Sequence, residues 1–288
     1  MVCLSKKDKV AYLEECLDLA LAFSDEAYCG ALKFKKCNGI YIVTGVLDVL
    51  EPQLETLYID GIFKHIAEGA FKDNHIIKHV VIGYGVHCLH KSCFENCINL
   101  ETITFRGTID VVEDRAFKGC FNLKEVHLGG RLYNVGSYVF EDCKSLEVAD
   151  LGRNVCILGA GVFKNCTSLV KARVQGRYLW KYPEYLFEGC SSLKRYIIPD
   201  HIEKILDSCF KDCVNLESIE IPKTVTEIGY CAFLNCDKLQ RFVIRGLNIG
   251  DGSWSLLMGG CNTVITDLSW ICIGDDNVVW VMERKKDG

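Results

Sequence analysis

Proline is scarce in this chain, 4 in 288 residues, and methionine is scarcer at 3. So little proline excludes a polyproline linker or a Pro-rich disordered tail. No apolar run approaches the roughly 18 to 20 residues that a membrane-spanning helix needs. A basic excess is also missing. Lys and Arg number 33 against 38 Asp and Glu, a formal net charge of −5, which argues against a dedicated nucleic-acid binder. Catalytic signatures are equally thin. There is no His-Glu-x-x-His and no Gly-x-Ser-x-Gly. Gly83-Tyr-Gly85 and Gly159-Ala-Gly161 stand between repeat segments, without the strand, Gly-rich loop and long helix of a nucleotide site. The sequence therefore gives no grounds to expect an enzyme, a small-molecule substrate or a cofactor.

Apolar residues make up 49% and charged residues 25%, ordinary values for a folded chain with a substantial core. Cysteine, at 18, is abundant. The start, MVCLSKKD followed by KVAYLEECLDLALAF, carries Glu14, Glu15 and Asp18 where a secretory leader would be unbroken and apolar. A cytoplasmic location is therefore expected, with surface exposure only by an unconventional route. In a reducing compartment the cysteines would be thiols.

One phrase organises the chain. Phe-x-x-Cys-x-x-Leu recurs as Phe94-Cys97-Leu100, Phe117-Cys120-Leu123, Phe140-Cys143-Leu146, Phe163-Cys166-Leu169, Phe187-Cys190-Leu193, Phe210-Cys213-Leu216 and Phe233-Cys236-Leu239. The Phe spacings are 23, 23, 23, 24, 23 and 23, and Phe71-Asn74-Ile77 fits one period earlier. After Leu comes an alternating stretch, as in Leu216-Glu-Ser-Ile219-Glu-Ile221, which reads as a short strand with one apolar face. One such unit cannot bury its own core. Stacked in parallel at roughly 4.8 Å per coil, many units make a ladder with continuous Leu, Ile and Phe columns. The expected fold is a mostly-β repeat solenoid.

With its A-F-x-x-C corner and 23-residue period, the stretch Leu54 to Ile244 resembles the BspA-like (Treponema pallidum-type) leucine-rich repeat family. That resemblance implies a curved horseshoe with a parallel concave sheet. It also implies a role in adhesion or protein binding.

The flanks read as caps of a single domain. Val10, Leu13, Leu17 and Leu21 have helical spacing, so Ser5 to Phe23 is expected to be an amphipathic helix within an N-terminal cap of residues 1–33. Residues 34–245 are read as repeats, with Phe34-Cys37-Ile40-Val43 a degenerate copy of the phrase. Residues 246–288 are read as a fading repeat, Met258-Cys261-Val264, and a terminal cap. There Trp270 to Trp280 forms a β-hairpin turning at Gly274 to Asn277.

His87, Cys88, His90, Cys93 and Cys97 offer enough ligands for zinc. Yet Cys97 lies in the repeat Cys column and Cys93 in the small-residue column before Phe, and Cys behaves as a small buried hydrophobe. The expectation is a structural role, without metal and without disulfides. For binding, the outward positions two and four after each Leu pave the concave sheet. There Lys171, Arg173, Arg195 and Arg241 cluster beside Ile197 and Val243, with Asp150 and Glu220 at the polar edge. A mixed Arg and apolar patch is what protein interfaces use. The favoured function is thus a non-catalytic module, a scaffold or adhesin-like protein, that binds a protein of unknown identity through this face. The alternative is an intracellular assembly component that makes its contacts through caps and edges. Nucleic-acid binding through the basic cluster is a weaker third reading, opposed by the net charge.

Overall fold

The computed structural model describes residues 18, 27–29, 32–46, 55–239, 241–245, 268–272 and 279–284. Within these, each period adds one coil carrying two strands. The longer follows the Leu of the phrase: Thr56–Ile59, His79–Ile82, Thr102–Phe105, Glu125–His127, Val148–Asp150 and Lys171–Arg173 form one parallel sheet. Its register steps from coil to coil, as in Thr56 opposite His79 and Asp150 opposite Arg173. The shorter strands, two residues each, run from His65–Ile66 through Cys88–Leu89, Val111–Val112 and Asn134–Val135 to Ile157–Leu158 in a second ladder. Between the ladders lies one hydrophobic core.

The A-F-x-x-C corner forms a third column. Phe71, Phe94, Phe117, Phe140, Phe163, Phe187, Phe210 and Phe233 are buried and stack face to face, with successive centroids 4.9 to 5.7 Å apart. Backbone bonds lock the stack, for example from the N–H of Phe117 to the carbonyl of Val139 at 2.9 Å. Each column thiol donates to the Phe carbonyl of the coil before: Cys97 to Phe71, Cys120 to Phe94, Cys143 to Phe117 and onward to Cys236 and Phe210, all at 3.0 to 3.2 Å. Cys suits this place because it is small, apolar in bulk and still a weak donor.

Two residues after each Phe, the chain takes a left-handed conformation that few side chains tolerate. The residues there are Asp73, Asn96, Gly119, Asp142, Asn165, Gly189, Asp212 and Asn235. They repeat as Asp, Asn, Gly. Asn96 donates to Asp73 at 2.8 Å, Asn165 to Asp142 at 3.1 Å and Asn235 to Asp212 at 2.6 Å. A side chain on Gly119 would meet the Oδ1 of Asn96 at 2.5 Å, so the third member has to be glycine.

The 24-residue period breaks both ladders at one level. The extra residue falls after Lys171–Arg173, and the next strands, Lys181–Tyr182 and Arg195–Ile197, start new sheets instead of pairing backwards. Two buried tyrosines fill this seam. Tyr182 donates to the carbonyl of Val174 at 3.1 Å, and its oxygen lies 3.0 Å from that of Tyr196. The Phe column runs through undisturbed, with Phe163 and Phe187 5.6 Å apart and 6° from parallel.

The ends refine the sequence reading. Apart from Asp18, the helix expected over Ser5 to Phe23 lies outside the described residues. Asp18 bonds Lys36 and the Tyr41 hydroxyl. Phe34 to Val43 is not a degenerate repeat. Leu32–Cys37 and Ile40–Val46 pair antiparallel around Asn38 and Gly39, both at positive φ, and the second strand joins the short-strand ladder at His65–Ile66. Asn-Gly is the dipeptide that two-residue hairpin turns favour. At the far end Leu268–Cys272 pairs antiparallel with Val279–Arg284, which in turn pairs with Arg241–Arg245 and covers the last long strand. That agrees with the expected hairpin, while Met258 to Val264 lies outside the described residues.

Candidate functional site

The outward positions of the long strands give the surface its chemistry, because alternation sends their neighbours into the core. Val126, Ala149, Tyr196 and Ile219 point inward and are buried, while Glu125, His127, Lys171, Arg195 and Ile197 are exposed. Charges stack between early coils. Lys78 meets Glu55 at 2.6 Å and Lys124 meets Glu101 at 3.4 Å. Both pairs are exposed, so solvent screens them and they add little to stability.

The eight residues expected to bind a partner fall into two groups separated by the seam. On one side Asp150 faces Arg173 across the register, and they form an ion pair at 3.4 Å. Arg173 also donates through Nε to Gln175 at 3.2 Å, and Lys171 lies exposed on the same strand. On the other side Arg195 stands opposite Ser218, and Ile197 opposite Glu220. The register continues to Arg241 and Val243, whose backbones pair with Ser218 and Glu220. No strand pairing joins Lys171–Arg173 to Arg195–Ile197, so the basic cluster is not one unbroken sheet face. The cause is the extra residue, whose spacing is visible in the sequence although its effect on pairing is not.

Ile197 is 82% exposed, the most exposed of the large hydrophobic residues among those described. Beside it, the Arg195 side chain is 80% exposed and comes no nearer than 3.9 Å to Glu217. Two features were missed. A groove beside Asp150 is lined by His127, an outward strand position, and by Arg153, Arg177 and His201, which lie in turns where an alternation pattern does not look. Trp180, half exposed at the seam, carries the ammonium groups of Lys181 and Lys204 over its ring at 5.4 and 5.9 Å, with exposed Tyr178 two residues away.

The potential metal ligands regroup relative to the sequence cluster. Cys93 and Cys97 turn into the core, and His87 faces Asp110 at 3.6 Å. In their place His65, from the coil before, joins Cys88 and His90. Burial pushes the Cys88 thiol up to about 12, and Glu113 and Asp110 add to the shift. Burial lowers the His65 imidazole, which keeps it neutral near pH 7, with the neighbouring His90 acting in the same direction.

Among known proteins, the model of the BspA type leucine rich repeat region matches in six copies over residues 51–170 and 180–255. A leucine-rich repeat protein from Bacteroides ovatus is 24% identical with a TM-score of 0.65. That alignment covers 72% of this chain, which spans 56% of the other. The T. pallidum leucine-rich repeat protein is 22% identical with a TM-score of 0.57, over 74% of this chain and 90% of that one. At these identities the likeness is one of fold. No curated protein sequence matches the chain.

Proposed function

The chain belongs to the BspA-type leucine-rich repeat family, and from that premise we propose that it is a non-catalytic module capturing a protein partner on the outward face of its long strands. Ile197 carries this reading. An isoleucine left 82% exposed on a regular strand, beside an extended Arg195, is out of place on a surface that only meets water. Burying it under a partner would remove apolar area from water and give the Arg195 guanidinium a desolvated acceptor, the combination that concentrates binding energy. Arg173 and Asp150 already satisfy each other, so they set the edge of the footprint, and Lys171, Glu220, Arg241 and Val243 complete it. The partner is a protein rather than nucleic acid, in keeping with the net charge of −5. The compartment proposed is the cytoplasm.

The test is capture from native lysate by wild type and by a variant carrying Arg195→Glu and Ile197→Asp. Both side chains point to solvent, so the fold should persist. Affinity for the captured protein should fall at least about tenfold, or about 1.4 kcal/mol. A second reading, assembly through edges, draws on exposed Tyr178 and Trp180 at the seam. Full retention by the face variant, with loss on Tyr178→Ser and Trp180→Ser, would establish that reading instead.

A further inference from the structure

Three ligand-type side chains from two successive coils meet on the short-strand ladder, at its first two-residue strands, His65–Ile66 and Cys88–Leu89. His65 stands opposite Cys88 in the parallel register, and His90 follows two residues after Cys88 with Leu89 turned into the core between them. One ligand atom from each of the three lies within 4.8 Å of the others. The His65 and His90 rings meet edge to edge, 5.2 Å between centroids and 17° from parallel. His65 Nδ1 and His90 Nε2 are 2.9 Å apart, and Cys88 Sγ is 3.8 Å from His90 Nδ1.

The repeat does not explain these residues. The place held by His65 and Cys88 becomes Val111, Asn134 and Ile157 in later coils, and the place of His90 becomes Glu113, Gly136 and Gly159. Glu113 sits directly behind the cluster. Its Oε1 lies 3.0 Å from His90 Nδ1 while its Oε2 accepts the N–H of Lys91 at 2.9 Å. A carboxylate bonded to one ring nitrogen fixes the tautomer and turns the other nitrogen outward, the arrangement that supports metal-bound histidines.

We propose that His65 Nδ1, His90 Nε2 and the thiolate of Cys88 bind one divalent transition-metal ion of the zinc type, with Glu113 positioning His90 from behind. Two imidazoles and a thiolate suit zinc and do not suit calcium or magnesium, which take oxygen ligands. Two nitrogens about 2.0 Å from a common tetrahedral ion stand roughly 3.3 Å apart, so the rings must open slightly from their present contact. On binding, the proton between the rings moves to His65 Nε2 and the Cys88 thiol proton leaves to solvent, a net release of one proton per ion. Three protein ligands leave a fourth position for water or for a side chain of a partner.

The test uses the untagged full chain, stripped with a chelator and titrated with cobalt(II) alone. The expected result is a one-to-one complex with the visible absorption of a tetrahedral ion and a thiolate-to-cobalt band in the near ultraviolet, both displaced by zinc. Cys88→Ser should abolish the thiolate band, and His65→Ala or His90→Ala should weaken binding at least tenfold. Glu113→Gln should keep the stoichiometry while weakening it by about 10- to 100-fold. Cys156→Ser, at an exposed thiol on another coil, should change neither band nor affinity. Circular dichroism checks that each variant is folded. A folded wild type giving no tetrahedral cobalt spectrum, or a complex indifferent to His65→Ala and Cys88→Ser, would overturn the assignment.

Discussion

The thiol of Cys166 donates to the carbonyl of Phe140 in the preceding coil at 3.0 Å, and that carbonyl also accepts the N–H of Cys143 at 3.1 Å. Both lone pairs of a buried oxygen are thereby used, and the seven column thiols repeat the device along the stack. Cys166→Ala should cost about 1 to 2 kcal/mol, a weak bond plus a small void. Cys166→Val removes the donor and adds a methyl branch beside the Phe stack, so overpacking joins the lost bond and its loss should be at least as large. Urea midpoints of the two variants measure this, and an unchanged midpoint in Cys166→Ala would dismiss the thiol's role.

Phe140 lies between Phe117 and Phe163, 5.4 and 5.7 Å away, with no exposed surface. Replacing it with Ala should cost about 3 to 5 kcal/mol, the range for emptying a large aromatic site. Lys124→Ala, at an exposed ion pair, should cost well under about 1 kcal/mol. Denaturant titration of both variants should show this contrast.

Gly119→Ala places a side chain at φ 73° and against the Oδ1 of Asn96. The expected loss is about 1 to 3 kcal/mol. In an Asn96→Ala background the collision disappears and only the backbone strain remains, so the same change should cost less. The double-mutant cycle, measured by thermal melts, should therefore give a coupling above about 0.5 kcal/mol.

Tyr182→Phe removes the donor to the Val174 carbonyl at the seam. Burial without a partner should then cost about 1 to 3 kcal/mol. Tyr196→Phe leaves that donor in place and should cost less. Amide exchange around 174–182 would report the difference, speeding up in the first variant and staying near wild type in the second.

Burial raises the column thiols from Cys97 to Cys213 above their ordinary value of 9.0, with Cys97 pushed up to about 12. Below pH 9 the thiols are protonated in both folded and unfolded chains, and the folded state keeps its full stability. Above it the unfolded chain sheds protons that the folded chain retains, so stability falls as pH climbs towards 12. Urea midpoints at pH 8, 9.5 and 11 should decline in that order, while reaction of the column thiols with alkylating reagents stays slow until the fold opens.

Residues that repeat were legible in the sequence. Phe94 through Phe233, the Cys column and the alternation after each Leu announce a stacked coil, because packing forces identity at identical places. What escaped depends on relations between coils. The partner of Cys166 is a backbone carbonyl 26 residues away, and no side chain marks it. The Asp-Asn-Gly cycle was present at Asp73, Asn96 and Gly119, but it repeats every three coils and hides inside a one-coil consensus. His65 was passed over for the same reason, since it approaches Cys88 only through the register. The Asn38-Gly39 turn lost to a chance match with Phe-x-x-Cys. Lys171, Arg173 and Arg195 were correctly seen as surface, and their separation by the seam follows from a single added residue.

Under load, a stack whose two ladders stop at one level while its third column continues will bend at that level. Between Phe163 and Phe187 the two parts of the stack are held by the column of rings, the corner bonds and the core around Tyr182 and Tyr196, without the ladder bonds found at other levels. The coils before it and the coils after it are then stiff arms on a flexure. A partner reaching from Arg173 to Ile197 would bridge the flexure and brace it, turning two arms into one beam.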